Sequence, residues 1–318
     1  MVDRMCEKAK QGVQVRLLCD GFGSFLASDA PLQRIIEAGG NARRFKPMSH
    51  LSRLAYLNFR NHRKLLVVDG KRAILGSANL VEEEMSPHET DDSWIDLSLE
   101  IEGPAVAHLQ AVFCSDWNFV TAENLPPSKV AGCEPVEGEN PPGRLTVLPI
   151  GPDAPHEIVD DFWLLGLAQA ERVWICTPYF VPPPHAVRAL ELACRRGLDV
   201  RIMVPNSSDL APVDYARYDF FDDLQQVGAK ILRYPEKMVH AKVGVLDDFV
   251  AFVGSANFDV RSFFLNYELS VAIHDRPTVD AIAKWYEDLV PHCERGLETR
   301  SAWRSTIATV TRVFASEL

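Results

Sequence analysis

The sequence has few of the features that mark a disulfide-bonded, zinc-binding or membrane-spanning protein. Its seven cysteines are scattered, odd in number and without a CxxC pair, which argues against a disulfide framework and against a zinc knuckle. No apolar run approaches the roughly 18–20 residues that cross a bilayer, and the N-terminus lacks the apolar stretch of a signal peptide. We therefore expect the chain as given to be soluble or peripheral to a membrane.

Positive charge is also in short supply. The chain has 33 Lys and Arg residues against 44 Asp and Glu residues, a formal net charge of −11. Proteins that bind nucleic acid usually need net positive charge to use the attraction of the phosphates. The composition therefore disfavours a nucleic-acid partner.

What the sequence does contain is one motif that is present twice. His-x-Lys, four residues, Asp, six residues and Gly-Ser-Ala-Asn occupy positions 62–79 and again positions 240–257. Every fixed position is displaced by the same 178 residues, as from His62 to His240. A repeat of this kind indicates a duplicated domain.

The chain is long enough for two such domains, and its composition suggests where they divide. Residues 122–144 are rich in proline and glycine and are typical of a linker. We predict an α/β fold with two lobes related by a pseudo-twofold axis, residues 1–121 and 145–318, each a mixed sheet flanked by helices. The strand from Arg172 to Phe180 has no equivalent in the first half, so we expect a first lobe truncated on its N-terminal side.

Side-chain alternation along a strand sorts the motif residues of the first copy. His62 and Lys64 lie two apart and share a face, whereas Asp69 does not share it. A two-residue type I′ turn at Asp69-Gly70 would set His62 opposite Ser77. Asn79 would then lie diagonally beside them on the same face.

The second copy follows the same geometry. A turn at Asp247-Asp248 would set His240 opposite Ser255, with Lys242 and Asn257 on the same face. The glycine that precedes each serine, Gly76 or Gly254, is expected to leave the backbone open to a ligand. Asp247, like its counterpart in the first copy, is expected to face away.

A histidine, a lysine, a hydroxyl and an amide on one face make a good receptor for a phosphate group. The lysine supplies charge, and the serine and asparagine supply hydrogen-bond donors. Two such faces would place two histidines on opposite sides of one phosphorus, one to attack and one to protonate the leaving oxygen. Nearby Lys64 and Lys242 should favour the neutral imidazole in the nucleophile. No HExxH motif and no carboxylate cluster at metal-ligand spacing is present, so we predict phosphodiester transfer without a metal or other cofactor.

These motifs resemble those of the phospholipase D superfamily, whose HxKxxxxD signature is present once in each half. The chain is more closely similar to the bacterial cardiolipin synthases. That resemblance rests on seven segments of this sequence: Arg60-Asn-His-Arg-Lys, Gly76-Ser-Ala-Asn-Leu-Val, Trp94-Ile-Asp-Leu, Glu102-Gly-Pro-Ala-Val, Thr177-Pro-Tyr-Phe-Val-Pro, Asn257-Phe-Asp-Val-Arg-Ser and Leu265-Asn-Tyr-Glu.

The resemblance implies phosphatidyl transfer between two phosphatidylglycerol molecules, giving cardiolipin and glycerol through a phosphohistidine intermediate. It implies an anionic membrane surface as partner and a peripheral location on the bacterial cytoplasmic membrane. The implied residue roles are as follows: catalytic His62, Lys64, His240 and Lys242; phosphate-binding Ser77, Asn79, Ser255 and Asn257; histidine-orienting Asp96 and Glu268; structural Asp69 and Asp247.

Alternatives remain open at the level of the sequence. The phosphatidyl group could pass to water or another alcohol, as in a phospholipase D; the same chemistry could serve a nuclease; or the chain could bind anionic lipid without catalysis. Which histidine attacks, which alcohol accepts and the oligomeric state are not decided. Further expectations concern the cluster Arg53, Arg60 and Arg63, which could face a headgroup or a nucleic acid, and the pair Arg261 and Ser262, which should brace the second site.

Overall fold

The computed structural model describes residues 1–21, 23, 28–45, 59–85, 90, 92–126, 144–152, 154 and 158–297. The helices are α1 Val2–Lys10, α2 Ala30–Glu37, α3 Glu82–Met85, α4 Ala105–Thr121, α5 Ile158–Gln169, α6 Pro184–Arg195, α7 Ala211–Gln226, α8 Val260–Phe264 and α9 Arg276–Leu289, with a 3-10 turn at Val290–His292. The strands are β1 Arg16–Asp20, β2 Asn41–Phe45, β3 Leu65–Val68, β4 Arg72–Gly76, β5 Ser98–Glu102, β6 Leu145–Ile150, β7 Arg172–Cys176, β8 Phe180–Val181, β9 Asp199–Pro205, β10 Lys230–Tyr234, β11 Val243–Leu246, β12 Val250–Gly254, β13 Phe258–Asp259, β14 Glu268–Ile273 and β15 Glu294–Arg295. The predicted α/β class is confirmed.

The second half of the chain builds one mixed sheet of eight strands in the order β15-β10-β9-β7-β11-β12-β14-β6. Strands β10, β9 and β7 are parallel to one another. The pairs β7-β11, β11-β12, β12-β14 and β14-β6 are antiparallel. Strands β11 and β12 are buried at every position. Continuous apolar strands are typical of a sheet that is covered on both faces.

The two faces of this sheet carry different layers. On one face, helices α5, α6 and α7 contribute Trp163, Leu190 and Phe221 to a buried cluster. The other cluster contains Tyr286 of α9 together with Leu75 and Leu109, which belong to the first half of the chain. Burying a leucine side chain stabilises by about 1.5–3 kcal/mol, so this shared cluster fixes one half against the other.

The first half contains the counterparts of these strands in two separate pieces. Strands β1 and β2 form a parallel pair, and β3, β4 and β5 form an antiparallel sheet. In the second half, β7 lies between β9 and β11 and joins the corresponding pieces. Among the residues described for the first half, no strand occupies that position. The predicted lobe boundaries stay a prediction, because residues 127–143 of the linker lie outside the described part of the chain.

The two motif hairpins correct the predicted register. Val68 pairs with Arg72 and Leu246 pairs with Val250, which leaves three residues in each loop where two were predicted. Asp69 and Gly70 do adopt the positive φ angles, 52° and 64°, that a type I′ turn requires. The next residue stays outside the ladder as a bulge, so every pair is shifted by one position.

This shift changes which residues face each other. His62 and His240 lie before the first residue of β3 and β11, and neither sits opposite the serine that was predicted for it. The histidines pair across the two halves instead. His62 N–H donates to Tyr267 O at 2.8 Å, and His240 N–H donates to Ile95 O at 2.8 Å.

The return contacts repeat this exchange. Tyr267 N–H donates to Arg60 O at 2.8 Å, and Ile95 N–H donates to Met238 O at 2.8 Å. Arg60 and Met238 occupy the same position in the two copies of the motif. Reciprocal contacts between equivalent residues are the mark of a twofold relation, which agrees with the predicted pseudo-twofold arrangement.

Candidate active site

Each motif histidine is held by a carboxylate from the other half of the chain. His62 Nδ1 lies 3.0 Å from both carboxylate oxygens of Glu268, and His240 Nδ1 lies 3.1 Å from Asp96 Oδ1. An ionised carboxylate only accepts hydrogen bonds, so the Nδ1–H of each histidine is the donor. The Nε2 atom of each ring then carries either a lone pair or an exchangeable proton. The two carboxylates expected to orient the histidines therefore do contact them, in a crossed arrangement.

The crossing follows from the backbone exchange at the lobe interface. Asn61 bridges to Tyr267 and Val239 bridges to Ile95, each in parallel. The next residue along each strand is a histidine on one side and a carboxylate on the other. The charge of Lys242 acts on His62, and the charges of Lys64 and Glu268 act on Lys242, so both motifs meet in one site although they are far apart in the sequence.

The two lysines lie beside the histidines, Lys242 buried and Lys64 half-buried. Lys64 Nζ donates to His62 O at 2.9 Å, and Lys242 Nζ donates to His240 O at 2.6 Å. Burial lowers the pKa of Lys64 to about 8. Burial, and then the charge of Lys64, lower the pKa of Lys242 to about 7. A phosphate anion between them would restore the charge balance that favours both ammonium groups.

The electrostatics of the His62 pair suit a nucleophile. Burial is the main cause that lowers the pKa of His62. The charges of Lys64 and Lys242 lower this pKa further, whereas Glu268 raises it. Burial alone would raise the pKa of Glu268, but His62, Lys64 and the Ser255 hydroxyl together hold it below its ordinary value. Neutral imidazole beside an ionised carboxylate is therefore the favoured pair, as the lysines led us to predict.

The motif serines lie one layer behind the histidines, which corrects their predicted position. Ser77 and Ser255 are 0% exposed. Ser255 Oγ donates to Glu268 Oε2 at 2.5 Å and accepts from Leu269 N at 2.9 Å. Ser77 Oγ accepts from Leu97 N at 3.1 Å. Because of the one-residue shift in register, these hydroxyls hold the carboxylate strands rather than face an open phosphate pocket.

The motif asparagines differ between the two copies. Asn79 Nδ2 donates to Glu84 Oε1 at 2.7 Å, and its backbone N–H donates to Glu84 as well. Asn257 N–H donates to Ser262 Oγ at 3.1 Å, and its buried Oδ1 has no hydrogen-bond partner within the described part of the chain. The Asn257 amide therefore retains unused hydrogen-bonding capacity near the site, whereas the Asn79 amide is engaged.

The sequence that forms this fold and site is similar to the sequences of known proteins. A family model described as "Cardiolipin synthase, PLD-like domain" matches residues 1–117 and 164–290. The chain belongs to this family. Cardiolipin synthase 2 of Bacillus anthracis is 33% identical over 297 residues, which cover 93% of this chain and 57% of that protein. The cardiolipin synthase of Geobacillus sp. (strain WCH70) is 36% identical over 291 residues, which cover 90% of this chain and 57% of that protein.

The chain spans less than two thirds of the length of these cardiolipin synthases. Among solved structures, phosphatidylserine synthase of Haemophilus influenzae Rd KW20 matches with a TM-score of 0.62 and 14% identity, covering 100% of this chain and 93% of that chain. At this identity the likeness concerns the fold. No helix among the residues described is both long and apolar enough to cross a membrane.

Two further positions of the family motif serve the scaffold. A Cβ on Gly76 would lie 2.4 Å from Leu97 O, and one on Gly254 would lie 2.4 Å from Leu269 O. These glycines therefore allow a neighbouring strand to approach closely, and the prediction that they open the backbone to a ligand is wrong. Asp247 Oδ1 accepts a hydrogen bond from Arg172 N at 2.7 Å, at the first residue of β7 and away from the histidines.

The arginines near the first motif are also corrected. Arg60 Nε donates to Asp20 at 3.1 Å, and Arg63 NH1 donates to Asp116 Oδ1 at 2.6 Å. Both arginine side chains are at most 10% exposed, so neither forms the surface cluster that was predicted for headgroups or nucleic acid. Arg53 lies outside the described residues.

Some functional neighbours were missed from the sequence. Trp94 lies over His240 with 5.0 Å between ring centroids, and Glu84 Oε2 lies 3.5 Å from His240 Nδ1. Counting the 178-residue displacement onward from the motif pairs Glu84 with Ser262, so the repeat itself carried this signal. Ser262 was expected to brace the second site; its Oγ accepts from Asn257 N at 3.1 Å and donates at 3.1 Å to Glu268 Oε1, the carboxylate that holds His62.

One group of side chains in the described part of the chain has donor atoms close enough to hold a cation. Ligand atoms of Glu84, Asp96 and His240 lie within 4.8 Å of one another. Asp96 is already bonded to His240, and Glu84 is already bonded to Asn79. Hydrogen bonding within the site accounts for these positions.

Proposed function

We propose that this chain carries out the phosphatidyl transfer of a cardiolipin synthase, joining two phosphatidylglycerol molecules into cardiolipin with release of glycerol. One observation carries the proposal: two histidines and two lysines from separate motifs converge on one site, and each histidine is held by a carboxylate of the other half. The relatives that are named cardiolipin synthase support the choice of reaction.

In the first step, Nε2 of one neutral histidine attacks phosphorus and forms a P–N bond. The P–O bond to the terminal glycerol breaks, and the other histidine, protonated, gives its proton to that oxygen, so glycerol leaves as the neutral alcohol. Lys64 and Lys242 stabilise the charge on the two remaining phosphoryl oxygens. The carboxylates stabilise the imidazolium that forms at each stage.

In the second step, the headgroup hydroxyl of another phosphatidylglycerol attacks the phosphohistidine. The histidine that gave its proton now accepts the hydroxyl proton, the P–N bond breaks, and both histidines return to their starting forms. Cardiolipin is the product. The substrate is a membrane lipid, so we place the reaction at the anionic surface of the bacterial cytoplasmic membrane.

The test is a product assay with phosphatidylglycerol vesicles, the full chain and EDTA. We expect equal amounts of cardiolipin and glycerol, and neither product from a chain in which both His62 and His240 are changed to alanine. Phosphatidic acid in place of cardiolipin would make water the acceptor and favour a phospholipase D. Absence of any product would contradict catalysis by this chain.

A further inference from the structure

The two motif histidines differ in how far solvent reaches them. The side chain of His240 is 4% exposed, whereas that of His62 is 31% exposed. In each half-site, a carboxylate of the other half contacts Nδ1 and a lysine ammonium donates to the backbone carbonyl of the histidine. Because the two half-sites share these contacts, the difference in exposure must come from another neighbour.

The residue that precedes each bridge between the lobes does differ. The bridge residues Ile95 and Tyr267 are equivalent, because they pair with the same position of the two motif copies. The residue before Ile95 is Trp94, and the residue before Tyr267 is Asn266. The half-site of one histidine therefore has an indole where the half-site of the other has a small amide.

Trp94 lies against the imidazole of His240. The ring centroids are 5.0 Å apart, and the ring planes are tilted by 57°. Trp94 N–H donates to Glu83 O at 3.0 Å, which fixes the backbone on one side of the indole. On the other side, Ile95 O accepts from the N–H groups of His240 and Ala241 at 2.8 and 3.0 Å. Backbone hydrogen bonds therefore hold the indole and the imidazole together.

Asn266 makes a different contact in its half-site. Its Nδ2 approaches Glu268 Oε1 at 3.4 Å, so this side chain is directed toward the carboxylate. An indole has a much larger apolar surface than an amide and covers more of the group against which it packs. The exchange of Trp94 for Asn266 therefore gives a physical reason for the lower exposure of His240.

Glu84 is a further neighbour of His240, but it approaches a part of the ring that is already covered. Its Oε2 lies 3.5 Å from Nδ1, the atom that Asp96 contacts at 3.1 Å. The rest of the imidazole is left to Trp94, whose ring lies against it.

We propose that Trp94 is a positioning residue, which covers His240 and holds its ring in one orientation, so that His240 meets the substrate with little access for water. Exclusion of water protects reactive intermediates from hydrolysis. A fixed ring keeps the reacting atoms aligned. The consequence for turnover rests on the proposed function, whereas the cover over His240 does not.

The direct test is the rate at which diethyl pyrocarbonate modifies each histidine of the full chain, measured by mass spectrometry of its peptides. We compare wild type, Trp94→Asn and Trp94→Phe. The first variant installs the residue of the other half-site, and the second keeps an aromatic ring. Trp285→Phe is the matched control, on a helix, α9, that contributes no side chain to the site. Thermal unfolding midpoints identify any variant that is not folded.

We expect the modification rate of His240 to rise severalfold in Trp94→Asn, toward the ratio of the two exposed fractions, 31% to 4% or about 8-fold. The rise should be smaller in Trp94→Phe and absent in Trp285→Phe. The rates of His62 and His185 should stay unchanged in every variant. If Trp94→Asn does not fold, Trp94→Phe decides, because a phenyl ring covers less than an indole.

Two results would overturn the proposal. One is a His240 rate that is the same in wild type and in a folded Trp94 variant. The other is an equal rise at all three histidines, which would indicate a loosened fold rather than the loss of a local cover.

Turnover provides the second readout. With phosphatidylglycerol vesicles, we expect Trp94→Asn to lower kcat by about 10–100-fold with KM little changed. The share of phosphatidic acid among the products should rise, because water then reaches the site. Trp94→Phe should restore most of the lost kcat, and Trp285→Phe should equal wild type.

An active Trp94→Asn chain with the kcat and the product ratio of wild type would contradict the proposal. If the wild-type chain gives no product, the proposed function fails, while the modification rates still decide whether Trp94 covers His240.

Discussion

The His62 and His240 half-sites share their main contacts and differ in the residues that support them. In both, a lysine ammonium bonds the histidine carbonyl and a carboxylate of the other half contacts Nδ1. Serine hydroxyls act on both carboxylates, Ser255 and Ser262 on Glu268 and Ser77 on Asp96. Among the residues described, a further carboxylate, Glu84, lies beside His240 alone of the two motif histidines. A duplicated motif can therefore keep the same main contacts in both copies while the residues that support them differ.

A second contrast separates the two halves as folded units. The second half has one continuous sheet, whereas the described strands of the first half fall into two pieces. Asp247 anchors β7 through backbone N–H groups of Glu171 and Arg172, at 3.0 and 2.7 Å. Asp69 has no such partner among the residues described. Within the described part of the chain, the motif aspartate thus supports a sheet in the second half alone.

The largest expected effect is loss of either histidine. His62→Ala and His240→Ala should each lower kcat for cardiolipin formation by more than about 10³-fold, and the double variant should be little worse than either single variant. Initial rates with phosphatidylglycerol vesicles measure this. His185→Ala is the control, because His185 binds Asp160 at 2.9 Å outside the site. One single variant with near wild-type kcat would break the shared-site comparison.

The crossed carboxylates should come next in size. Glu268→Gln and Asp96→Asn should each lower kcat by about 10²–10⁴-fold, because the amide no longer stabilises the imidazolium or fixes its tautomer. Imidazole NMR should show that Glu268→Gln perturbs His62 and Asp96→Asn perturbs His240. Glu100→Gln, with a side chain 59% exposed, is the control. Perturbation of the histidine in the same half would show that the contacts are not crossed.

Removal of the buried Lys242 should lower activity and raise stability. Lys242→Met should lower kcat by about 10²-fold or more, while it raises the Tm at neutral pH because a buried charge is removed.

The sign of the pH dependence follows from burial. The pKa of Lys242 falls from 10.5 to about 7 on folding, so the unfolded chain binds more protons than the folded chain between these pH values. The contribution of Lys242 to the free energy of unfolding therefore rises with pH in this range. The Tm difference between Lys242→Met and wild type should therefore shrink from pH 7 to pH 10. Lys284→Met, at a residue 73% exposed, should show no such trend. A difference that grows with pH would contradict the burial of a destabilised ammonium.

The smallest effect should distinguish the two motif aspartates. Asp247→Ala should lower the free energy of unfolding by about 1–3 kcal/mol more than Asp69→Ala, because, among the residues that the structure describes, Asp247 alone of the two accepts backbone hydrogen bonds, from Glu171 and Arg172. Both residues have a positive φ, 49° and 52°, so the cost of alanine in that conformation cancels in the comparison. Urea unfolding measures the difference. Equal losses would remove the contrast between the halves.

The sequence was sufficient for the repeat, the α/β class, the residue types of the site and the two orienting carboxylates. It was not sufficient for the register, because the turn dipeptide at Asp69 does not reveal that Lys71 stays outside the ladder. The resulting one-residue shift in strand register places the serines behind the histidines. The burial of Arg60 and Arg63 depends on Asp20 and Asp116, which are distant in sequence.

The crossing of histidines and carboxylates could not be predicted for a related reason. It depends on how the halves pack, and the bridges of Asn61 to Tyr267 and of Ile95 to Val239 have no local sequence signal. Glu84 is a different case. The 178-residue displacement aligned it with Ser262, but a carboxylate opposite a serine acquires meaning only when His240 Nδ1 is found 3.5 Å away.

The most direct test of one shared site is a rapid quench of the chain with phosphatidylglycerol, followed by mass spectrometry of its peptides. We predict a phosphatidyl adduct on His62 or on His240, which appears as glycerol is released and disappears as cardiolipin forms. The adduct should be lost in Glu268→Gln if His62 attacks and in Asp96→Asn if His240 attacks. Cardiolipin formation with no adduct on either histidine, at any time from the first turnover, would contradict a covalent reaction in this site.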